Sequence, residues 1–182
     1  GNFILNELNT ALGTEYELTG NVISQYADLK NNIDQVIQAK LANSLLEAAN
    51  ADYITAIQNE AGAIENLNLK EQEYRAQLDF NTQKEQEYTA ERESLMSRLE
   101  SARWNNNTFE EAMLTAQIGR LDADMQAARE NLVEKKEAYD QAAVDYGNYH
   151  NTIANYEDAQ AAILAGNTET AVDLLAKKGG AY

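Results

Sequence analysis

Leu114-Thr-Ala-Gln-Ile118-Gly-Arg-Leu121-Asp-Ala-Asp-Met125-Gln-Ala-Ala128-Arg-Glu-Asn-Leu132 places an apolar residue at alternating steps of four and three. A strand exposed on one face would step by two; steps averaging three and a half are the seam of one helix packed on another. The pattern runs on through Tyr139, Ala142, Tyr146, Tyr149, Ile153 and Tyr156. An earlier run has related spacing: Ile57, Ile64, Leu67, Tyr74, Leu78, Tyr88, Leu95, Leu99 and Ala102. Between the two runs stands Trp104-Asn105-Asn106-Asn107. Asparagine tolerates left-handed backbone, so this stretch ends the first helix, and Thr108-Phe-Glu-Glu111 reads as a capping box opening the second. No proline interrupts any of the 182 residues. The prediction is an all-α fold, a long antiparallel two-helix coiled-coil finger with its turn near 104–107.

Counting outward from the turn sets the rest of the organisation. A helix from about Asn31 to Arg103, broken by nothing stronger than Gly62, would be roughly 110 Å long, and a return helix from Thr108 to Tyr156 roughly 75 Å. The shorter arm leaves Asn31 to Asp52 without a partner, so Ile33, Ile37, Leu41 and Leu45 need another cover. Residues 2–12 have helical spacing (Ile4, Leu5, Leu8, Leu12) and stop at Gly13, whereas Thr14 to Ser24, with its Gly20-Asn21 turn, favours an extended or hairpin-like excursion. Two C-terminal pieces, 159–164 ending at Gly166 and 171–175 capped at Asn167 or Thr168 and closing at Gly179-Gly180, are further candidates. The expected division is 1–54 as the N-terminal part of a small helical head and the start of the long helix, 55–156 as the finger, and 157–182 as the short helices completing the head.

Composition narrows the function classes. A formal net charge of −16 opposes binding to phosphate backbones and to anionic lipid, so neither nucleic acid nor membrane is an expected partner of this segment. With no cysteine, disulfides and thiolate zinc sites are excluded. No stretch approaches the roughly 18 uninterrupted apolar residues of a membrane span, and the opening Gly1-Asn-Phe-Ile-Leu5 lacks the basic start of a signal peptide. The chain begins without Met, already patterned as if mid-domain, and reads as a segment of a longer protein.

The structural seam is assigned to Ile64, Leu67, Tyr74, Leu78, Leu95 and Leu99 on the first arm, and to Ile118, Leu121, Met125, Leu132, Tyr139, Tyr146 and Ile153 on the second. Counting sevens also puts Glu60, Glu71, Asn81, Glu85, Arg92 and Lys135 on it. Such residues read either as a device fixing register or as a marginal, solvent-wetted zipper, and the second reading is preferred. The register brings Leu78 near Leu132 and Ile64 near Tyr146 or Gly147. His150, the single histidine, lies among tyrosines with no metal-ligating neighbour one turn away and reads as a surface position. Acid pairs such as Asp122-Ala-Asp124 read as a solvated face. No phosphate-binding loop, nucleophile elbow or catalytic triad is found, so no enzyme, cofactor or metal is expected. Trp104 is a candidate tip contact, although closing the end of the seam is its stronger reading.

Leu5-Asn-Glu-Leu-Asn-Thr-Ala-Leu-Gly-Thr-Glu-Tyr-Glu-Leu-Thr-Gly-Asn-Val-Ile-Ser-Gln-Tyr26, then Asn32-Ile-Asp-Gln-Val-Ile-Gln-Ala-Lys-Leu-Ala42 and an Ala, Glu and Gln-rich heptad region, resembles internal segments of phage tail tape measure proteins. Tyr156-Glu-Asp-Ala-Gln-Ala-Ala-Ile-Leu-Ala-Gly-Asn-Thr-Glu-Thr-Ala-Val-Asp-Leu-Leu175 has the same character. The likeness is one of texture and segment order over most of the chain. It implies a structural protein of a phage or prophage virion tail, made in the bacterial cytoplasm, that sets tail length, supports tail assembly and genome ejection, and meets tail tube or tail chaperone proteins. The alternative is a bacterial coiled-coil module for protein–protein interaction.

Overall fold

The computed structural model describes Thr10 and residues 22–177. The expected helix over 2–12, most of the excursion over 14–24 and the Gly179-Gly180 close lie outside these residues. The described chain is all-α: α1 is Val22–Trp104, α2 is Thr108–Leu164 and α3 is Thr168–Ala176. Helix α1 therefore takes in Val22, Ile23 and Ser24, which the sequence reading gave to an extended segment, and α2 runs past Tyr156 to Leu164. Nothing in Tyr156-Glu-Asp-Ala-Gln-Ala-Ala-Ile-Leu164 disfavours helix, so α2 continues until Gly166 stops it.

The ends of α1 and α2 are closed by the same device. Asn106 adopts a φ of 53° and Gly166 a φ of 77°. At the first, Asn107 N donates to Ala102 O (2.9 Å) and Asn106 N to Arg103 O (3.2 Å); at the second, Asn167 N donates to Ala162 O (2.8 Å) and Gly166 N to Ile163 O (3.0 Å). Both pairs are the crossed bonds of a Schellman motif around one left-handed residue. The cap of α2 sits one residue earlier than expected. Asn107 Oδ1, rather than the Thr108 hydroxyl, accepts from Glu110 N (3.2 Å), while Asn107 Nδ2 donates to the Glu110 carboxylate (3.1 Å). Glu111 is thereby freed to take Arg103 Nε across the turn (3.1 Å). Asn167 precedes α3 without a side-chain cap bond.

The chain divides into two units, Ala61–Gly147 and Gly1–Glu60 with Asn148–Tyr182. In the first, α1 and α2 form an antiparallel hairpin. Its buried apolar cluster lies next to the turn: Leu95, Leu99, Ala102, Leu114 and Ile118, with Leu121 packed against it. In the second unit, the start of α1, the end of α2 and α3 gather around Ala42, Ala159, Ala171 and Leu175, with Leu45, Leu46 and Ile163 at the edge. The small residues at its centre let helix backbones approach, and α3 lays Val172, Leu174 and Leu175 against that cluster. Ile37 and Leu41 stay exposed.

Candidate functional site

The seam of α1 holds one unbroken heptad row: Tyr53, Glu60, Leu67, Tyr74, Asn81, Tyr88, Leu95 and Ala102 are all buried or half-buried. The companion row shifts. From the turn it reads Leu99, Arg92 and Glu85, and beyond Asn81 it continues as Gln77, Lys70, Ala63 and Ala56. Two successive steps of four, 77 to 81 to 85, replace the usual three and four. This stutter locally unwinds a supercoil. Its consequence corrects two seam assignments. Leu78 is 40% exposed and Ile64 43% exposed, because strict sevens overshoot by one residue on the far side of Asn81. Helix α2 keeps its alternation: Leu114, Ile118, Met125, Ala128 and Ala142 are buried, and Leu121, Leu132, Tyr139, Tyr146 and Ile153 half-buried. On α1, Leu95 and Leu99 are buried and Leu67 and Tyr74 half-buried.

Asn81, at the centre of the stutter, is 4% exposed and has both ends of its amide satisfied. Nδ2 donates to Ala128 O on the opposite helix (2.9 Å), and Oδ1 accepts from Gln77 Nε2 (2.8 Å). On either side of it the seam becomes a ladder of polar contacts between helices. Lys135 Nζ donates to Glu73 (3.1 Å), Asn131 Nδ2 to Gln77 Oε1 (3.0 Å), and Arg129 Nε to Glu85 (2.7 Å). Asp122 accepts from both Tyr88 Oη (2.8 Å) and Arg92 Nε (2.9 Å). Glu71 instead bonds Arg75 on its own helix (2.7 Å). The bond between Gln77 and Asn131 fixes the level of the two helices at this point of the ladder.

Electrostatics follow these contacts. Hydrogen bonds from Lys135 and then Lys70 hold the Glu73 carboxyl below its ordinary pKa; Arg129 does the same for Glu85, and Arg92 followed by Tyr88 for Asp122. The Tyr88 hydroxyl is raised because it donates to the Asp122 carboxylate. Tyr74 and Tyr139 stack with centroids 5.9 Å apart and rings within 8° of parallel, which lets two bulky seam residues share a layer.

In the other unit, Tyr53 and Tyr156 stack at 4.0 Å, with Tyr53 Oη donating to Glu157 (3.0 Å) and Tyr156 Oη to Asn50 Oδ1 (3.2 Å). His150 Nδ1 lies 3.1 Å from Glu60 Oε1, which gives the seam carboxylate a partner and the histidine a structural position. Trp104 is 87% exposed and does not close the seam; two residues beyond Ala102 the helix has turned it by about 200° to the outer face. Ala102 and Leu114 seal that end instead. Among the described residues, no group of three or more metal-ligating side chains could hold an ion, and no helix is long and apolar enough to cross a membrane.

What the sequence reading missed is Phe80, more than half exposed beside the stutter. It lies off both seam rows, and a lone phenylalanine on a polar face carries no periodic signal. Compared with protein-family models, curated proteins and solved structures, the chain matches none of them.

Proposed function

We propose that this chain is a segment of a phage or prophage tail tape measure protein, a helical component of the virion tail that sets its length and supports assembly and genome ejection. The observation that carries the reading is the polar middle of the Ala61–Gly147 hairpin, taken with the resemblance of the Leu5 to Tyr26 and Asn32 to Ala42 stretches to that family. Exposed ion pairs such as Arg92 with Asp122 and Arg129 with Glu85 add little net stability, because water screens the charges of both states. Only Asn105, Asn106 and Asn107 separate two long helices, and none of them is a proline that would forbid a continuous helix. Such a hairpin opens into a rod at modest cost, and a rod is what a length standard requires. Tail tube and tail chaperone proteins are its partners in this reading.

A second reading, a bacterial coiled-coil module that binds a partner protein, is favoured by the exposure of Trp104 and Phe109 next to the turn. Genomic neighbourhood separates the two, since a tape measure gene lies beside genes for tail tube and tail chaperone proteins. The decisive experiment deletes residues 55–156 in frame from the encoding phage or prophage and measures tails by electron microscopy. The tape measure reading expects tails shorter by about 150 Å, at 1.5 Å for each residue removed. Virions with tails of unchanged length refute it.

A further inference from the structure

We propose that the flank of the Ala61–Gly147 hairpin beside Phe80 is a docking groove for a basic amphipathic helix of a partner protein. Two adjoining hollows lie there and share Phe80, Lys84 and Asp124 in their walls. The more enclosed has a volume of about 360 Å³, against about 490 Å³ for the more open one, and counts Leu121 and the wholly buried Met125 among its lining residues. Phe80 stands in its wall 54% exposed, an apolar anchor that no other side chain covers over most of its surface. The trough lies where the two helices meet, and ridge-into-groove packing makes that cleft the natural seat for a third helix.

Charge selects the occupant. Glu87, Glu91 and Asp124 border the more enclosed hollow against a single cation, Lys84. Glu91 and Asp124 take part in no ion pair among the described residues. Lys84 Nζ already lies 5.5 Å from the centroid of the Phe80 ring, so the exposed aromatic face accepts a cation from its own chain. A helix with an apolar stripe for Phe80 and Leu121 and Lys or Arg on its edges meets both features. A second copy of this chain is the wrong occupant, because each copy carries −16. The inference does not rest on the tail reading and holds equally for an interaction module.

The test uses the full 182-residue chain and, as probe, a synthetic three-heptad peptide with leucine at its core positions and lysine on its flanks, titrated by calorimetry. Salt at about 0.15 M confines electrostatic attraction to roughly 8 Å. The lysine peptide should bind, and the same peptide with glutamate flanks should not. Phe80→Ala, and separately the Glu91→Lys/Asp124→Lys pair, should each weaken binding at least about tenfold, as loss of an interface anchor does. Glu65→Lys/Glu137→Lys, an equal change of charge away from the groove, should leave it within about twofold. Because Phe80 is mostly exposed, its replacement should keep the helical circular dichroism, and the surface charge pair provides the same test without removing any apolar contact. Equal weakening by both charge pairs would reduce the effect to bulk attraction and overturn the proposal. So would an unaffected Phe80→Ala variant, or self-association of the wild-type chain in sedimentation that this substitution abolishes.

Discussion

Asn81 occupies a place where a strong coiled coil would put leucine, and its amide reaches the α2 backbone at Ala128, where the side chain is small. Shifting α2 by a heptad would put the larger Leu121 or Lys135 at that level and crowd this approach, and a buried donor left unpaired there would cost about 1–3 kcal/mol. Asn81 thus acts as a register device in place of the marginal wetted position its polarity alone suggested. Asn81→Leu should raise the midpoint of urea unfolding while admitting further registers, and Asn81→Asp, which loses the donor and buries a carboxylate, should lower stability by about 2–3 kcal/mol at neutral pH. A midpoint unchanged in both variants would mean the amide fixes nothing. The carboxylates beside it set a pH response. Glu73, Glu85 and Asp122 are held below their ordinary pKa, so each contributes stability above the unfolded value and loses it as pH falls through the folded one. The thermal midpoint of the wild type should exceed that of a Glu73→Gln/Glu85→Gln/Asp122→Asn variant at neutral pH by only a small margin, since water screens all three pairs. The gap should close as pH drops below the ordinary 4.5 of glutamate and 3.8 of aspartate. Taking the difference between the two proteins removes the relief of repulsion that acid brings to the carboxylates they share; the variant also lacks three negative charges of a −16 chain, which works against the wild type and makes a positive gap the stricter test.

Among the elements, α2 is the more legible in sequence because its steps of three and four never falter from Leu114 to Tyr156. In α1 the stutter at Asn81 is hidden: Ile57, Ile64 and Leu78 are apolar by coincidence at the strict-heptad places, whereas the residues that turn inward, Ala56, Ala63 and Gln77, look unremarkable. The turn was readable as a run of asparagines, yet which one would adopt positive φ depended on the crossed hydrogen bonds, and the cap moved with it. The packing of α3 onto Leu45 and Leu46 could be anticipated from the unequal arms, but the Phe80 groove could not, since it exists only once two helices stand side by side. Glycine provides an element-scale test. Gly62, Gly119 and Gly147 lie within helices with open space where a Cβ would stand, so alanine at each should add about 0.5–1 kcal/mol of stability. Gly166→Ala should do the opposite, because φ there is 77°. Denaturant midpoints of the four single variants check both signs.

For the molecule as a whole, the polar ladder, the proposed docking groove and the proposed opening of the hairpin all require that α1 and α2 lie side by side in one register when the chain is free. The absence of cysteine makes this directly measurable, since spin labels can be placed at Gln77→Cys and Asn131→Cys with no background. These positions are 54 residues apart in sequence, which in a continuous helix would separate them by about 80 Å. In the hairpin they face each other across helices whose axes lie about 8–10 Å apart. Double electron–electron resonance complemented by continuous-wave line broadening should give one short distance, on the order of 10–20 Å once the label linkers are added to that spacing. A population near 80 Å, or a shorter distance when the second label is moved one heptad to Asp124 or Ala138, would contradict the in-register hairpin.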